Sequence, residues 1–379
     1  MTLLLTAVLL TGCGIDPARI PAHHPFAQEG GAVQARASLS FAVVGSTRSL
    51  HEQGETELIA DLRAEAPMRD LALVVLTGGY VGRSTTGEWR ALAGRWSDVI
   101  DSELGSNNRA RRPVAALVGH AERAGDRGLE GFASSFPDMA QEIGHNRNAS
   151  WYHFDVATQG TTWRLLFLDS DREALGSRWN EQLYWLPGAL RGGGYDRLIV
   201  FLPQPWQTLA LGAEADPGRG PSELLEIVDE NTDLMKLVAV VQGGVASNEL
   251  HLPTGPYGEL SLVAGNGSVP ARTLQRWGHT SGVGAQPLSL VPGFDLALLS
   301  ALDRWDEAQP LGGGVLDAAK GRGSWEGFTA QIDGAAVPVR GWWTVTLDGD
   351  TASVGFRMRE PAGYRDLYTL GWTPSGGWK

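Results

Sequence analysis

Phe41-Ala42-Val43-Val44-Gly45-Ser46-Thr47-Arg48 decides how the chain folds. Four apolar residues run without polar alternation into a glycine, the pattern of a strand covered on both faces. Leu58, Ile59 and Leu62 follow at helical spacing, and residues 71–76 form a second apolar run. Strand, helix and strand in that order build a parallel sheet, where ligand chemistry sits on loops beyond the C-terminal strand ends. Gly45-Ser46-Thr47-Arg48 is the first such loop.

The alternation continues outward from it. Trp89, Leu92, Trp96, Val99 and Ile100 predict a helix, and residues 114–118 a third strand. Residues 151–156 and 163–168 read as a strand pair joined by Ala157-Thr158-Gln159-Gly160, with Gly160 at a hairpin turn. A helix carrying Trp179, Leu183 and Leu186 leads to a strand at 198–202. A helix at 224–231 leads to strands at 237–241 and 259–263. The tail pairs 342–347 with 351–356 around Asp348-Gly349. The whole predicts an α/β fold with helices on sheet faces and no internal repeat.

The chain has 379 residues, enough for one large domain or two ordinary ones. Its formal net charge of -12 repels a phosphate polymer, so nucleic acid is excluded as a partner. Arg109-Ala110-Arg111-Arg112 is a short basic run read as a solvated loop. The single cysteine, Cys13, closes Leu10-Thr11-Gly12-Cys13 after an apolar run from Leu3 to Leu10. That pattern resembles a lipobox, and the run is too short to span a bilayer. No Lys or Arg precedes the run, a departure from the usual basic start. The expectation is a signal segment at 1–12, a lipid on Cys13, a Pro/Gly/Ala-rich tether at 13–36, a main domain at 37–290 and an extension at 291–379. A lipid anchor places the protein in the cell envelope, at an outer-membrane, periplasmic or extracellular face.

Read in order, the strand ends bring out a family. Val43-Val44-Gly45-Ser46-Thr47-Arg48 stands where V-x-G-D-x-H would. Leu76-Thr77-Gly78-Gly79-Tyr80 stands for a G-D segment, and Val118-Gly119-His120-Ala121-Glu122 for G-N-H-E. Tyr152-His153-Phe154-Asp155 and Leu166-Phe167-Leu168-Asp169 match Y-x-F-D and I-x-L-D, and Gln182, Trp185 and Leu186 a Q-x-x-W-L helix. Leu202-Pro203-Gln204-Pro205 stands for a strand ending in H-x-P, and Gln242-Gly243-Gly244-Val245-Ala246 for G-H-x-H. Each motif alone is weak, but their order and strand contexts over residues 38–270 resemble the calcineurin-like metallophosphoesterases, purple acid phosphatases included. The resemblance implies a four-layer α/β/β/α sandwich, with a C-terminal β-hairpin extension, and phosphoester hydrolysis at two divalent cations.

The side chains that would hold those cations are replaced. The family's ligand and catalytic positions fall on Ser46, Arg48, Gly79, His120, Ala121, Pro203, Gly244 and Ala246. Of these only His120 is a good metal ligand, and Arg48 puts a fixed positive charge where a cation would sit. The expectation is therefore no metal cofactor and a degenerate site, with Ser46, Arg48, Tyr80, His120 and Gln204 lining a polar pocket for a small anion.

Other constellations have plainer readings beside them. His120, Glu122 and His51 offer a mononuclear metal site, or His120 is a loop residue of an emptied pocket. Ser46 after a strand suggests a nucleophile, but its flanks lack the glycine pattern of a nucleophile elbow. Asp155, Asp169 and Asp171 are a carboxylate cluster or merely strand-end acids. The 14 Trp residues are sugar-stacking platforms or core. Three functions follow in order: a binding or scaffold lipoprotein that is a pseudoenzyme, a hydrolase with remodelled or metal-independent chemistry, and a glycan-binding envelope protein.

Overall fold

A computed structural model describes residues 37–47, 51–65, 71–96, 114–135, 150–204, 219–233, 235–244, 249–251, 259–265, 325–327, 329–332, 335–338, 341–360 and 363–378. Cys13 and the expected tether lie outside the described residues, as do Arg48 and Ala246.

The apolar runs are strands. β1 (Ser38–Val44), β2 (Leu71–Leu76) and β3 (Val114–Ala116) pair in parallel. α1 (His51–Glu65) and α2 (Thr86–Trp96) make the crossovers between them. After α3 (His120–Arg123) and α4 (Gly128–Ser135) the chain enters a second sheet. There β4 (Tyr152–Thr158) and β5 (Thr161–Phe167) form the expected hairpin. Its turn residues Gln159 and Gly160 both have positive φ, at 44° and 88°, the geometry that matches strand twist.

α5 (Arg172–Leu175) and α6 (Arg178–Arg191) lead to β6 (Arg197–Leu202), and α7 (Arg219–Asn231) to β7 (Leu237–Gln242). β8 (Glu249–His251) and β9 (Leu260–Val263) follow, then β10 (Trp325–Gly327). β11 (Thr329–Ile332) and β12 (Ala335–Pro338) pair only with each other. The tail forms β13 (Gly341–Asp348), β14 (Thr351–Glu360), β15 (Gly363–Thr373) and β16 (Gly377–Trp378).

One sheet has the order β16-β15-β14-β13-β1-β2-β3, the other β10-β8-β9-β7-β6-β5-β4. The expected tail hairpin is β13–β14, and the two strands after it were not foreseen. Its first strand pairs antiparallel with β1, so the C-terminal end completes the N-terminal sheet.

The two sheets stack face to face between helices, giving the four-layer α/β/β/α sandwich. Phe41 of one sheet meets Phe201 of the other with ring centroids 6.2 Å apart, and Phe201 stacks on Phe167 at 4.5 Å. Each such buried ring contributes about 1.5–3 kcal/mol. Indole and phenol groups also cross the interface. Trp343 Nε1 donates to the Val263 carbonyl at 3.0 Å, Trp378 Nε1 to Val238 at 2.9 Å and Tyr152 Oη to Ala116 at 3.0 Å. Trp89, Trp96, Trp151, Trp163, Trp179, Trp342, Trp343 and Trp372 are all buried, so these tryptophans are core rather than stacking platforms. Among the described residues no helix is long and apolar enough to cross a membrane.

Candidate functional site

The ends of β1, β2, β3, β6 and β7 converge on one cleft of about 960 Å³. Ser46, Gly79, His120, Ala121, Pro203 and Gly244 all line it, as does Gln204. Positions scattered over 199 residues of sequence, from 46 to 244, thus meet where the strand-end alignment puts them. Tyr80 does not. It is 1% exposed, and its hydroxyl donates to the Leu117 carbonyl at 2.8 Å, so it belongs to the core and not to the mouth. Burial pushes its phenol well above the ordinary range.

The loops that form the floor are pinned by Glu122. Its fully buried carboxylate accepts N–H groups from Gly79 at 3.1 Å, Tyr80 at 2.9 Å, Val81 at 3.1 Å and Gly119 at 3.0 Å. Burial pushes this carboxyl upward and the backbone donors hold it down, burial being the larger effect. Four donors occupy both oxygens, so the mononuclear site of His120, Glu122 and His51 is ruled out: Glu122 ties the second strand-end loop to the third.

The three carboxylates read as a cluster do not form one: Asp155 stands apart, while Asp169 and Asp171 share one turn but take different side-chain partners. Asp155 binds Arg164 bidentately at 2.7 and 2.6 Å, and burial raises its carboxyl while Arg164 lowers it. Asp169 receives Arg123, Ser150 and the Asp171 N–H, while Gln182 exchanges a pair of 2.8 Å bonds with its backbone. Arg123 is lowered to about 10, chiefly by burial. Among the described residues no three His, Cys, Asp or Glu side chains group as a metal site would need.

Asp171 is different. Its Oδ1 caps α5 by accepting the Ala174 N–H at 3.1 Å, and its Oδ2 is buried without a hydrogen-bond partner. The nearest imidazole nitrogen is His120 Nδ1, 3.8 Å away across the cleft lining. The His120 side chain is 69% exposed, so it is free to turn toward or away from that oxygen. Sequence spacing gave no hint of this pair.

The family's two cations do not fit these residues. The described positions that match the family's ligands offer one imidazole, on His120, and one hydroxyl, on Ser46, where a dinuclear site takes carboxylates, imidazoles and an amide oxygen. A Cβ on Gly244, whose φ is 81°, would lie 2.5 Å from the Pro203 carbonyl oxygen, so a histidine at this position requires the loop to move.

No family profile matches the chain, and no curated protein does. Among solved structures it is similar to a purple acid phosphatase from yellow lupin (Lupinus luteus) seeds, with a TM-score of 0.51 at 12% identity over 88% of this chain and 53% of that one. GAP50, described as the anchor in the inner membrane complex of Plasmodium, matches at 0.48 and 13% over 88% of each chain. A dimetal phosphatase from Danio rerio matches at 0.47 and 11% over 88% of this chain and 98% of that one. The fold is thus of the metallophosphoesterase type. At such identities the likeness speaks for the fold alone.

Proposed function

We propose that the chain keeps the metallophosphoesterase frame without its dinuclear chemistry, and serves as a membrane-tethered binding or scaffold protein of the cell envelope. The observation that supports this most is the lining of the cleft, where Ser46, Gly79, Ala121, Pro203 and Gly244 stand at the positions of the ligands and the catalytic histidine. Without cations there is no acidified water and no Lewis acid at a phosphoryl oxygen, effects worth roughly several kcal/mol of barrier. The cleft itself persists, and Arg48, two residues past Ser46, makes a small carboxylate or phosphate its proposed ligand. Tethering is proposed through a lipid on Cys13. Hydrolysis of nitrophenyl phosphomonoester and phosphodiester, with manganese, iron or zinc added, tests the reading. It expects no turnover above buffer, and metal-dependent turnover lost in His120→Ala overturns it. A Cys13→Ser variant is expected to leave the membrane fraction, and unchanged partitioning overturns the tether.

A second reading, a hydrolase with metal-independent chemistry, is favoured by one observation: a buried, partnerless carboxylate oxygen faces an exposed imidazole in the cleft.

A further inference from the structure

A small anion leaves most of the cleft unfilled. The volume of about 960 Å³ lies near the upper end of small-molecule pockets, about 300–1,000 Å³, and a lone phosphate or carboxylate takes a minor part of it. The rest of a ligand meets the flank, where the described side chains are mostly hydrogen-bond acceptors. Asp171 and Glu173 bring carboxylates and Asn180 an amide, while the Arg172 guanidinium is already engaged by Glu223 at 2.7 Å. Asp171 is 6% exposed, and its Oδ2 has no hydrogen-bond partner. Such a wall repels a second anion and suits a group rich in O–H donors.

Just past Asn180 stands an aromatic ring with no place in the core. Tyr184 is 90% exposed, and among the described residues only Met235 joins it as a large exposed apolar side chain. Met235 precedes β7, at the strand end away from the cleft. Asn180 and Tyr184 both lie on α6, four residues apart, so they share one face with Cβ atoms about 5–6 Å from each other. Since Asn180 lines the cleft, the ring stands one helical turn from its edge. An exposed tyrosine offers an apolar face for packing while its hydroxyl stays in water. A pyranose is the matching shape, with C–H groups on its faces and hydroxyls around its rim.

We infer that this flank is a saccharide subsite. One sugar ring stacks on Tyr184 and its hydroxyls bond Asn180 and Glu173. A hydroxyl of the next ring donates to Asp171 Oδ2 when the His120 side chain, 69% exposed and 3.8 Å from that oxygen, turns aside. The subsite deepens the proposed anion reading and rests on it: the ligand class is a short saccharide whose carboxylate or phosphate lies toward the strand ends. The acid-lined flank takes the polyol and the floor takes the charge, so the two walls select different parts of one molecule.

Isothermal titration of the full chain in detergent tests this with trigalacturonate and glucose 1-phosphate as acidic saccharides. Acetate, inorganic phosphate, maltotriose and adenosine monophosphate are titrated beside them. Each acidic saccharide is expected to bind at least about tenfold tighter than its bare anion. Tyr184→Ala removes roughly tenfold of that gain and Tyr184→Trp keeps it, while acetate and phosphate bind as they do to wild type. The ring is exposed, so the variants fold. Acidic saccharides no tighter than acetate or phosphate, a gain untouched by Tyr184→Ala, or adenosine monophosphate tighter than glucose 1-phosphate overturns the subsite. Maltotriose bound through Tyr184 as tightly as trigalacturonate leaves the subsite standing and overturns the anion reading instead.

Discussion

The cleft has two unlike walls. Its floor, at the strand ends, is small and nearly bare of side-chain donors: Gly79, Ala121, Pro203 and Gly244. Its flank, from the end of β5 into α6, is dense with buried polar groups: Asp169, Ser170, Asp171 and Gln182. In the floor the residues at the family's ligand positions are small, and a Cβ on Gly244 would meet the Pro203 carbonyl. In the flank and beneath the floor, polar residues persist because the frame uses them. Glu122 and Asp169 show the rule, since their carboxylates are taken up by partners that hold loops in place. His120 and the Oδ2 of Asp171 lack such duties. A polar group with its bonding saturated holds the frame; one left open in a cleft is a candidate for binding or chemistry.

Substitutions separate the two kinds by size of effect. Glu122→Ala leaves four N–H groups without their acceptor, three of them buried, and is expected to cost about 3–5 kcal/mol in urea unfolding. A cost near zero would mean that the floor is not held by this carboxylate.

The frame also has a weak point in acid. His153, on β4 against Trp185, is held down to about 3 by burial and by Arg164, so it stays neutral when folded. The unfolded chain binds the extra proton below about 6.5, so its affinity for protons exceeds that of the folded chain between about 6.5 and 3. Stability attributed to this group is then lost as pH falls through that window, by about 1.4 kcal/mol per unit. His153→Leu is expected to flatten that part of the pH–stability profile, and an unaltered slope would assign the acid sensitivity elsewhere.

Gly244→His, which places an imidazole in the floor, is expected to destabilise by roughly 1–3 kcal/mol, through contact with the Pro203 carbonyl and positive φ. A neutral change would show a floor still open to its old ligands. His120→Ala, at an exposed side chain, is expected within about 0.5 kcal/mol of wild type. A large loss would make His120 part of the frame and remove the contrast.

Much of the frame was legible in the sequence because buried parallel strands such as β1, β2 and β7 are continuous apolar runs closed by glycine. β15 was not, since Gly363-Tyr364-Arg365-Asp366 breaks the alternation that marks a strand. At the site, strand-end order placed Ser46, Gly79, His120, Ala121, Pro203, Gly244 and Gln204 on one cleft. Tyr80 was misplaced because the bend at Gly78 and Gly79, with φ of 104° and 69°, turns it inward. Glu122 read as a ligand because its partners are backbone groups, invisible to residue types. The left-handed φ of Ser46 and the approach of His120 to Asp171 depend on backbone geometry and on contacts between sheets, which no spacing encodes.

Whether the floor has truly lost its chemistry is decided most directly by metal stoichiometry. Purified full-length chain, equilibrated with manganese, iron and zinc and then freed of excess, would be analysed by inductively coupled plasma mass spectrometry. Retention far below one ion per chain is expected, because among the described residues no three His, Cys, Asp or Glu side chains group as a metal site needs. Retention approaching two ions per chain, lowered by His120→Ala, would contradict it.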